Sequence, residues 1–468
     1  MEPQNEIRAA TGPGSTCLLF SLPIELFRLI IETTIEQNGL PQAIWARLVC
    51  KLEVFDEEII RAICTLNALG PSCNGYPRGK RIWTEYLKAQ VRSRSPPSCH
   101  LVKVIRYCLE SIMEHVPFTK DVSREYLDVL CSRVVFARET APVWMFRSRS
   151  SDKYPLSKSS LHGSLISATA LLGLNEFLKT LVETGYDDED TFFGWPIECA
   201  AHRGDIPSVK LLYSKWSSTH SGNYPDEHYL GRALCSAAGS GSVATIRFLC
   251  SPDYADNISA HYYEVAVMNA AAHGKSKAML FLIRSADTFG HIPKMKFLPL
   301  LSRRGNKSPP LWDCILLKAA SGGYEDIVSL ALQKGASVNA GFRGSLGCHT
   351  LVGAARNGHE KIVRQLLLKG ADPNILARAN ILSKAAYGGW IGISRVLIEH
   401  GASPRRRRGC LWSTTPLSIA VSRGHHQLAQ ILLDCGAEPA VSSNSVALAT
   451  SYGHASTLEE LNIRIEGP

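Results

Sequence analysis

Apolar residues between positions 350 and 374 follow a pattern that predicts two short helices, each ended by a glycine. Residues 351–355 place apolar side chains at helical spacing before Gly358, and residues 363–367 place them on one stripe before Gly370. A residue just past a helix end often adopts a positive φ, which costs a non-glycine residue roughly 1–2 kcal/mol. The pattern therefore predicts a helix hairpin followed by a turn-rich finger.

The glycine that ends the first helix of this hairpin recurs nine times along the chain, with gaps of 29 to 49 residues. The residue seven positions earlier is always apolar, and the residue four positions earlier is alanine in eight of the nine cases. Thr169 is the exception. A period near 33 residues indicates stacked supersecondary units rather than one globular core. The glycines are Gly173, Gly204, Gly241, Gly274, Gly323, Gly358, Gly389, Gly424 and Gly453.

Several short sequence motifs within the repeats are similar to those of a known family. Thr415 to Ala420 reads T-P-L-S-I-A, close to the T-P-L-H-x-A of the ankyrin repeat, and Gly335 to Asn339 reads G-A-x-x-N. Residues 161–468 thus resemble an ankyrin-repeat array, in a layout similar to that of fungal ankyrin proteins. The resemblance implies an all-α solenoid of about nine helical hairpins behind a small helical N-terminal region. It also implies a non-enzymatic module that binds a protein partner on its concave face.

Two irregularities interrupt the array. The gap between Gly274 and Gly323 holds extra residues around Ser285 to Pro310, which predict an enlarged loop. The ninth unit lacks the closing Gly-Ala word, as expected of a capping repeat with a wettable outer face.

In the ankyrin family, partner contacts come from the fingers and from the two residues before the repeat glycine. The basic character of these positions predicts an acidic partner surface and binding that weakens with salt. The run from Arg405 to Arg408 is open to three interpretations: a solvated loop, a contact with an acidic partner, or a nuclear-import patch. Carried over by position, the contact residues are His202, Arg203, Arg356, Asn357, Tyr387 and Arg423, with Phe342, Arg343, Arg405, Arg406, Arg407, Arg408 and Trp412 in the fingers.

The N-terminal third has a different organisation. Residues 1–16 predict a disordered leader, and residues 17–60 resemble an F-box through the words L-P-I-E-L at Leu22 and L-V-C-K at Leu48. That resemblance implies binding to the linker subunit of a cullin-RING ubiquitin ligase. The alternative is a helical cap on the end of the solenoid. The residues carried over for this segment are Leu22, Pro23, Leu26, Ile30, Val49 and Cys50.

Residues 61–160 predict a helical linker or worn repeats, with helices over Leu101–Val116 and Asp121–Val135. A net charge of +9 indicates mild attraction to anions. Nucleic acid is a disfavoured partner, because a wide basic field with interleaved aromatic residues is missing. Fourteen cysteines without a C-x-x-C pair indicate reduced thiols and a cytoplasmic or nuclear protein. No apolar run reaches eighteen residues, so we expect no membrane span.

The sequence predicts no catalytic residue, no metal site and no cofactor. Gly274-Lys275-Ser276 lacks the earlier glycine of a phosphate-binding loop, and His425-His426 lacks the H-E-x-x-H spacing of a zinc site. The ankyrin resemblance implies instead that the histidines just after repeat glycines cap their own loops. These are His359, His425 and His454.

Overall fold

A computed structural model of the chain divides it into two compact units, Met1–Leu109 with Thr119–Leu156 and Glu110–Phe118 with Ser157–Pro468. The leader and the F-box-like segment lie outside the described residues. The structure describes residues 80–92, 100–116, 119–137, 158–185, 191–219, 226–288, 311–339, 349–374, 381–405 and 415–442, together with 446, 450, 461 and 464–466.

Three helices precede the repeats: α1 (Lys80–Arg92), α2 (His100–His115) and α3 (Lys120–Ala137). The last two confirm the helices expected from the sequence. In the first unit α1 packs against α3, and Lys88 pairs across them with Asp128.

The second unit is built from helix hairpins. The described residues form eight of them, and the fold class expected from the sequence is confirmed. A single-turn helix, α10 (Pro252–Ala255), follows the third hairpin. The hairpins are α4 (Lys158–Leu172) with α5 (Asn175–Thr184), α6 (Pro196–Arg203) with α7 (Ile206–Thr219), α8 (Asp226–Ser240) with α9 (Val243–Leu249), α11 (Ala260–Ala272) with α12 (Ser276–Thr288), α13 (Leu311–Gly322) with α14 (Glu325–Gln333), α15 (Thr350–Asn357) with α16 (Glu360–Leu368), α17 (Ile381–Tyr387) with α18 (Ile391–Glu399), and α19 (Pro416–Ser422) with α20 (His426–Asp434).

The first helices of successive hairpins pack side by side in one layer, from α4 through to α19. The second helices form a neighbouring layer, in which α14, α16, α18 and α20 contact one another in turn. The recurrent alanine makes this close approach possible, since its side chain is fully buried wherever the structure describes it. Thr169 occupies the same place by donating its hydroxyl hydrogen to the carbonyl oxygens of Leu165 and Ile166. The buried alanines are Ala200, Ala237, Ala270, Ala319, Ala354, Ala385 and Ala420.

A side chain from the next hairpin packs against the glycine between the two helices of a hairpin. Gly358 has a φ of 83°, and a Cβ placed on it would lie 2.5 Å from the Trp390 ring. Trp390 also donates its indole hydrogen to the Arg356 carbonyl oxygen at 3.3 Å. His359 lies against Gly323 in the same way, with Nε2 3.1 Å from the Ser321 carbonyl oxygen.

This arrangement corrects the expectation that these histidines cap their own loops. His359 links its hairpin to the preceding one, and His425 lies against Gly389 of the preceding hairpin. The third histidine of the set, His454, lies outside the described residues. From Ser242 to His425, the residue after each repeat glycine therefore contacts the glycine of the preceding hairpin.

A second set of contacts joins the turns that follow the second helices. The Asn339 carboxamide oxygen accepts from the Asp372 N–H at 3.0 Å. One hairpin later, Asn374 donates to the Gly401 carbonyl oxygen at 2.8 Å and accepts from the Ser403 N–H at 3.2 Å. These bonds give the asparagine of the G-A-x-x-N word a structural role.

Two further details differ from the sequence-based expectation. Helix α12 extends to Thr288 and buries Ser285, so the predicted enlarged loop begins later than expected. The all-α prediction also missed two three-residue strands, β1 (Ala440–Ser442) and β2 (Arg464–Glu466), which pair in parallel with Val441 opposite Ile465.

Val441 is buried beside Leu428 and Leu432 of the last described hairpin, so β1 continues its apolar core. Gly453 of the ninth repeat is outside the described part of the chain, and that repeat stays a prediction. Within the described ranges, no helix is both long enough and apolar enough to cross a membrane.

Candidate partner-binding surface

Four side chains on or just after three consecutive first helices form the most distinctive surface of the repeats, which we call the basic patch: Arg356, Lys384, Tyr387 and Arg423. Arg356 is exposed in the last turn of α15. Lys384 and Tyr387 lie three residues apart on α17, and Arg423 follows the last residue of α19. The guanidinium carbon of Arg423 is 3.4 Å from the centre of the Tyr387 ring.

Tyr387 is unusual among the apolar side chains of the described residues. Among the large hydrophobic residues of this part of the chain, only Tyr387 and Leu368 are exposed, at 42% and 79%. Leu368 ends α16 in the second-helix layer, whereas Tyr387 lies among the cations of the first-helix layer. Tyrosine and arginine are among the residue types most enriched at the energetic centres of protein interfaces.

The charges of Lys384 and Arg356 are not balanced by ion pairs within the described residues. Burial lowers the pKa of the half-buried Lys384 ammonium, and the positive charge of Arg356 lowers it further. In this part of the chain, neither Lys384 nor Arg356 forms an ion pair with a carboxylate, whereas Arg364 on α16 pairs with Glu360.

The sequence around the three first helices of the patch is also positively charged. Residues 340–358, 375–389 and 406–424 each comprise the stretch before a first helix, the helix itself and the glycine region after it, and none of them contains aspartate or glutamate. In contrast, four of the five earlier first helices, α6, α8, α11 and α13, each carry at least one carboxylate, while α4 carries none. The eight cations of the three stretches are Arg343, Arg356, Arg378, Lys384, Arg406, Arg407, Arg408 and Arg423.

In an earlier part of the first-helix layer, an arginine is neutralised by a carboxylate of the neighbouring hairpin. Arg232 on α8 pairs with Glu198 on α6 at 2.9 Å and lies 5.1 Å from the centre of the Trp195 ring. Next to it, His228 Nδ1 lies 2.5 Å from the Tyr262 hydroxyl. These polar groups pair with one another, so this part of the layer offers a partner fewer unpaired charged groups than the basic patch does.

The structure brings together three of the predicted contact residues, Arg356, Tyr387 and Arg423. His202 and Arg203 are exposed on α6, separated from the patch by α8, α11 and α13. The remaining predicted finger residues and the whole F-box-like set lie outside the described residues: Phe342, Arg343, Arg406, Arg407, Arg408 and Trp412, with Leu22, Pro23, Leu26, Ile30, Val49 and Cys50.

Two predicted contact residues make bonds between hairpins. Asn357 donates from its side-chain amide to the Ser321 carbonyl oxygen at 2.7 Å. Arg405 stands at the position of the asparagine in the G-A-x-x-N word, and its Nε donates to the Gly436 carbonyl oxygen at 3.2 Å. Both side chains therefore help to join neighbouring hairpins.

Lys384 is the patch residue that the sequence reasoning missed. The rule borrowed from the resemblance selects the two residues before each glycine, and Lys384 stands five residues before Gly389. The sequence could have indicated it, because Lys384 is the one charged residue within the helix Ile-Leu-Ser-Lys-Ala-Ala-Tyr. One helical turn separates it from Tyr387, so both share a face.

Comparison with known protein families gives one match. Residues 267–377 and 351–443 match the family described as "Ankyrin repeats (3 copies)". These matched segments contain α12 to α20 and the whole basic patch. No curated protein matches the chain.

Proposed function

We infer from the ankyrin repeats of residues 267–443, which make this chain a protein–protein interaction module, that an acidic segment of a protein partner docks on the basic patch. The partner contacts Tyr387 and the aliphatic part of Lys384, and its carboxylates neutralise Arg356 and Lys384. The role of the repeats in this proposal is recognition, with no chemical step.

The observation that carries the proposal is the cost of the Lys384 charge. A half-buried ammonium repelled by Arg356, with no carboxylate from the described residues beside it, lowers the stability of the folded chain. A neutral residue of similar shape would fit the same place without that cost. Positions where stability is lost for no internal gain are typical of functional surfaces.

Affinity capture of partners from cell extract tests this proposal. The variant Arg356→Ala/Tyr387→Ala/Arg423→Ala should lose the partners that the wild-type chain retains, by at least about tenfold in recovered amount. The matched variant Arg364→Ala/Leu368→Ala/Arg395→Ala, with all changes in the second-helix layer, should keep them. Both variants need a circular dichroism spectrum like that of the wild-type chain. Unchanged partners on the first variant would remove the proposed surface.

Salt provides a second criterion for the same capture. The Debye length falls from about 10 Å at 0.1 M salt to about 3 Å at 1 M, so the retained partners should elute as salt rises. Partners that stay bound at high salt and ignore the patch variant would belong to another surface.

The F-box-like words at Leu22 and Leu48 support a second candidate, a substrate adaptor of a cullin-RING ubiquitin ligase. In that function the repeats hold the substrate and residues 17–60 hold the linker subunit. Cullin and linker subunit should then co-purify with the full chain and be lost from the Pro23→Ala/Leu26→Ala variant. Retention by that variant would reject an F-box contact while leaving the docking surface untouched.

A further inference from the structure

We propose that the ligand of the basic patch is a phosphorylated serine or threonine in an extended segment of the partner, an inference that rests on the proposed function. Positive charges lie on both sides of helix α17. The charge of Arg356 acts on Lys384 across the boundary between α15 and α17, and Arg423 lies over Tyr387 across the boundary between α17 and α19. Helix α17 thus lies between two arginines and contributes a lysine of its own.

A phosphate monoester fits this charge better than a carboxylate does. It carries about −1.5 to −2 charges at pH 7 and three strong acceptor oxygens, whereas a glutamate carries one charge. One phosphate can therefore accept hydrogen bonds from both Lys384 and Arg356, while a single carboxylate would leave part of the repulsion between them in place.

The types of donor also suit phosphate. Guanidinium groups present a planar fork to phosphate oxygens, and an ammonium acts as a point charge beside them. The Tyr387 ring positions the Arg423 guanidinium before any ligand arrives, and half-burial limits the motion of Lys384. Both effects reduce the entropy lost on binding.

The position of the cations favours a protruding side chain over a flat surface. Lys384 is half-buried between its neighbours, whereas Arg356 is exposed at the helix end. A phosphorylated side chain reaches a recessed ammonium, and the flanking residues of an extended segment can lie on Tyr387. The acid-free stretches around the three helices would attract the negative charges of such a segment.

Synthetic peptides test the proposal on the full-length chain by fluorescence anisotropy. The probes share one labelled glycine–alanine sequence with two flanking glutamates and differ at the centre, which is serine, phosphoserine, or a pair of glutamates that matches the charge of phosphoserine. We expect the phosphoserine peptide to bind at least about tenfold more tightly than the charge-matched peptide. Lys384→Gln should remove that preference, and Lys369→Gln, an exposed lysine at the end of α16, should keep it.

The possible outcomes separate this inference from the proposed function. Equal affinity for the phosphoserine and charge-matched peptides overturns the inference and leaves acidic docking intact. A preference that survives Lys384→Gln also overturns it, because the phosphate would then bind elsewhere. Stronger binding to vesicles containing phosphatidylinositol phosphates than to the phosphoserine peptide, if lost in Lys384→Gln, would overturn it in favour of a membrane. If Lys384→Gln does not fold, Arg356→Gln with Arg395→Gln as its control gives the same decision.

Discussion

The Arg423 guanidinium lies over the Tyr387 ring, with its carbon 3.4 Å from the ring centre, and so joins the ends of two neighbouring first helices. Stacking of this kind is worth about 0.5–1 kcal/mol at an exposed site and depends on the ring rather than on the hydroxyl. Tyr387→Phe should therefore leave partner affinity nearly unchanged, whereas Tyr387→Ala should weaken it by about tenfold or more. Titration of a captured partner against the two variants measures the difference.

Leu368 provides the control for this prediction. It is a still more exposed apolar side chain, at 79%, but it ends α16 in the second-helix layer. Leu368→Ala should not change partner affinity. A loss equal to that of Tyr387→Ala would mean that both layers contact the partner, contrary to our assignment.

Lys384→Met should weaken partner binding and at the same time raise the melting temperature. The pKa of Lys384 lies below its usual 10.5 because of burial and of the nearby Arg356 charge, so the folded chain binds this proton less strongly than the unfolded chain does. The cost to stability is complete at pH values below the lowered pKa and disappears as the pH rises towards 10.5.

Urea unfolding at several pH values measures this effect. The stability advantage of Lys384→Met should be present at pH 7 and shrink in alkaline solution. A variant less stable than the wild-type chain at pH 7 would show that Lys384 serves the fold, and the argument from stability to function would fail.

Gly358→Ala should destabilise the repeats more than Gly370→Ala does. Both glycines have a φ near +85°, so both substitutions incur the roughly 1–2 kcal/mol cost of a positive φ. At Gly370 nothing lies within 4 Å of the added Cβ, whereas at Gly358 the Cβ would overlap Trp390. The difference between the two variants in the free energy of unfolding measures the contribution of the contact between hairpins. Equal losses would mean that this contact does not contribute to stability.

Asn374→Ala should cost more stability than Asn339→Ala. The Asn374 side chain makes two hydrogen bonds to the next hairpin and that of Asn339 makes one, and each bond contributes about 1 kcal/mol. Chemical unfolding of the two variants compares them directly. If Asn339→Ala is the more damaging substitution, hydrogen bonds between turns do not govern stability at these positions.

The repeating architecture could be predicted because local chemistry determines it. The positive φ at position 358 favours glycine, and the close approach of helices at position 354 favours alanine. Both residue types therefore recur at the same positions of the repeats and can be recognised from the sequence. The helices α2 and α3 were equally visible, since they have regular apolar spacing.

Contacts between repeats were harder to predict. The residues that pack across hairpins, such as His359 against Gly323, are separated by about one period, and their partner cannot be identified from spacing within a single unit. Lys384 was missed for the same reason, because its importance comes from the charge of Arg356 on another helix. Strand β1 was missed since three residues are too few to produce an alternating pattern.

Site-directed photocrosslinking tests the central claim most directly. A photoreactive benzoylphenylalanine placed at position 387, in the first-helix layer, should crosslink to the partner under near-physiological salt, while the same group at exposed position 395, in the second-helix layer, should not. The account predicts a crosslinked product from the first position that disappears when Arg356 and Lys384 are both changed to glutamine. Equal crosslinking from both positions, or from position 395 alone, would contradict it.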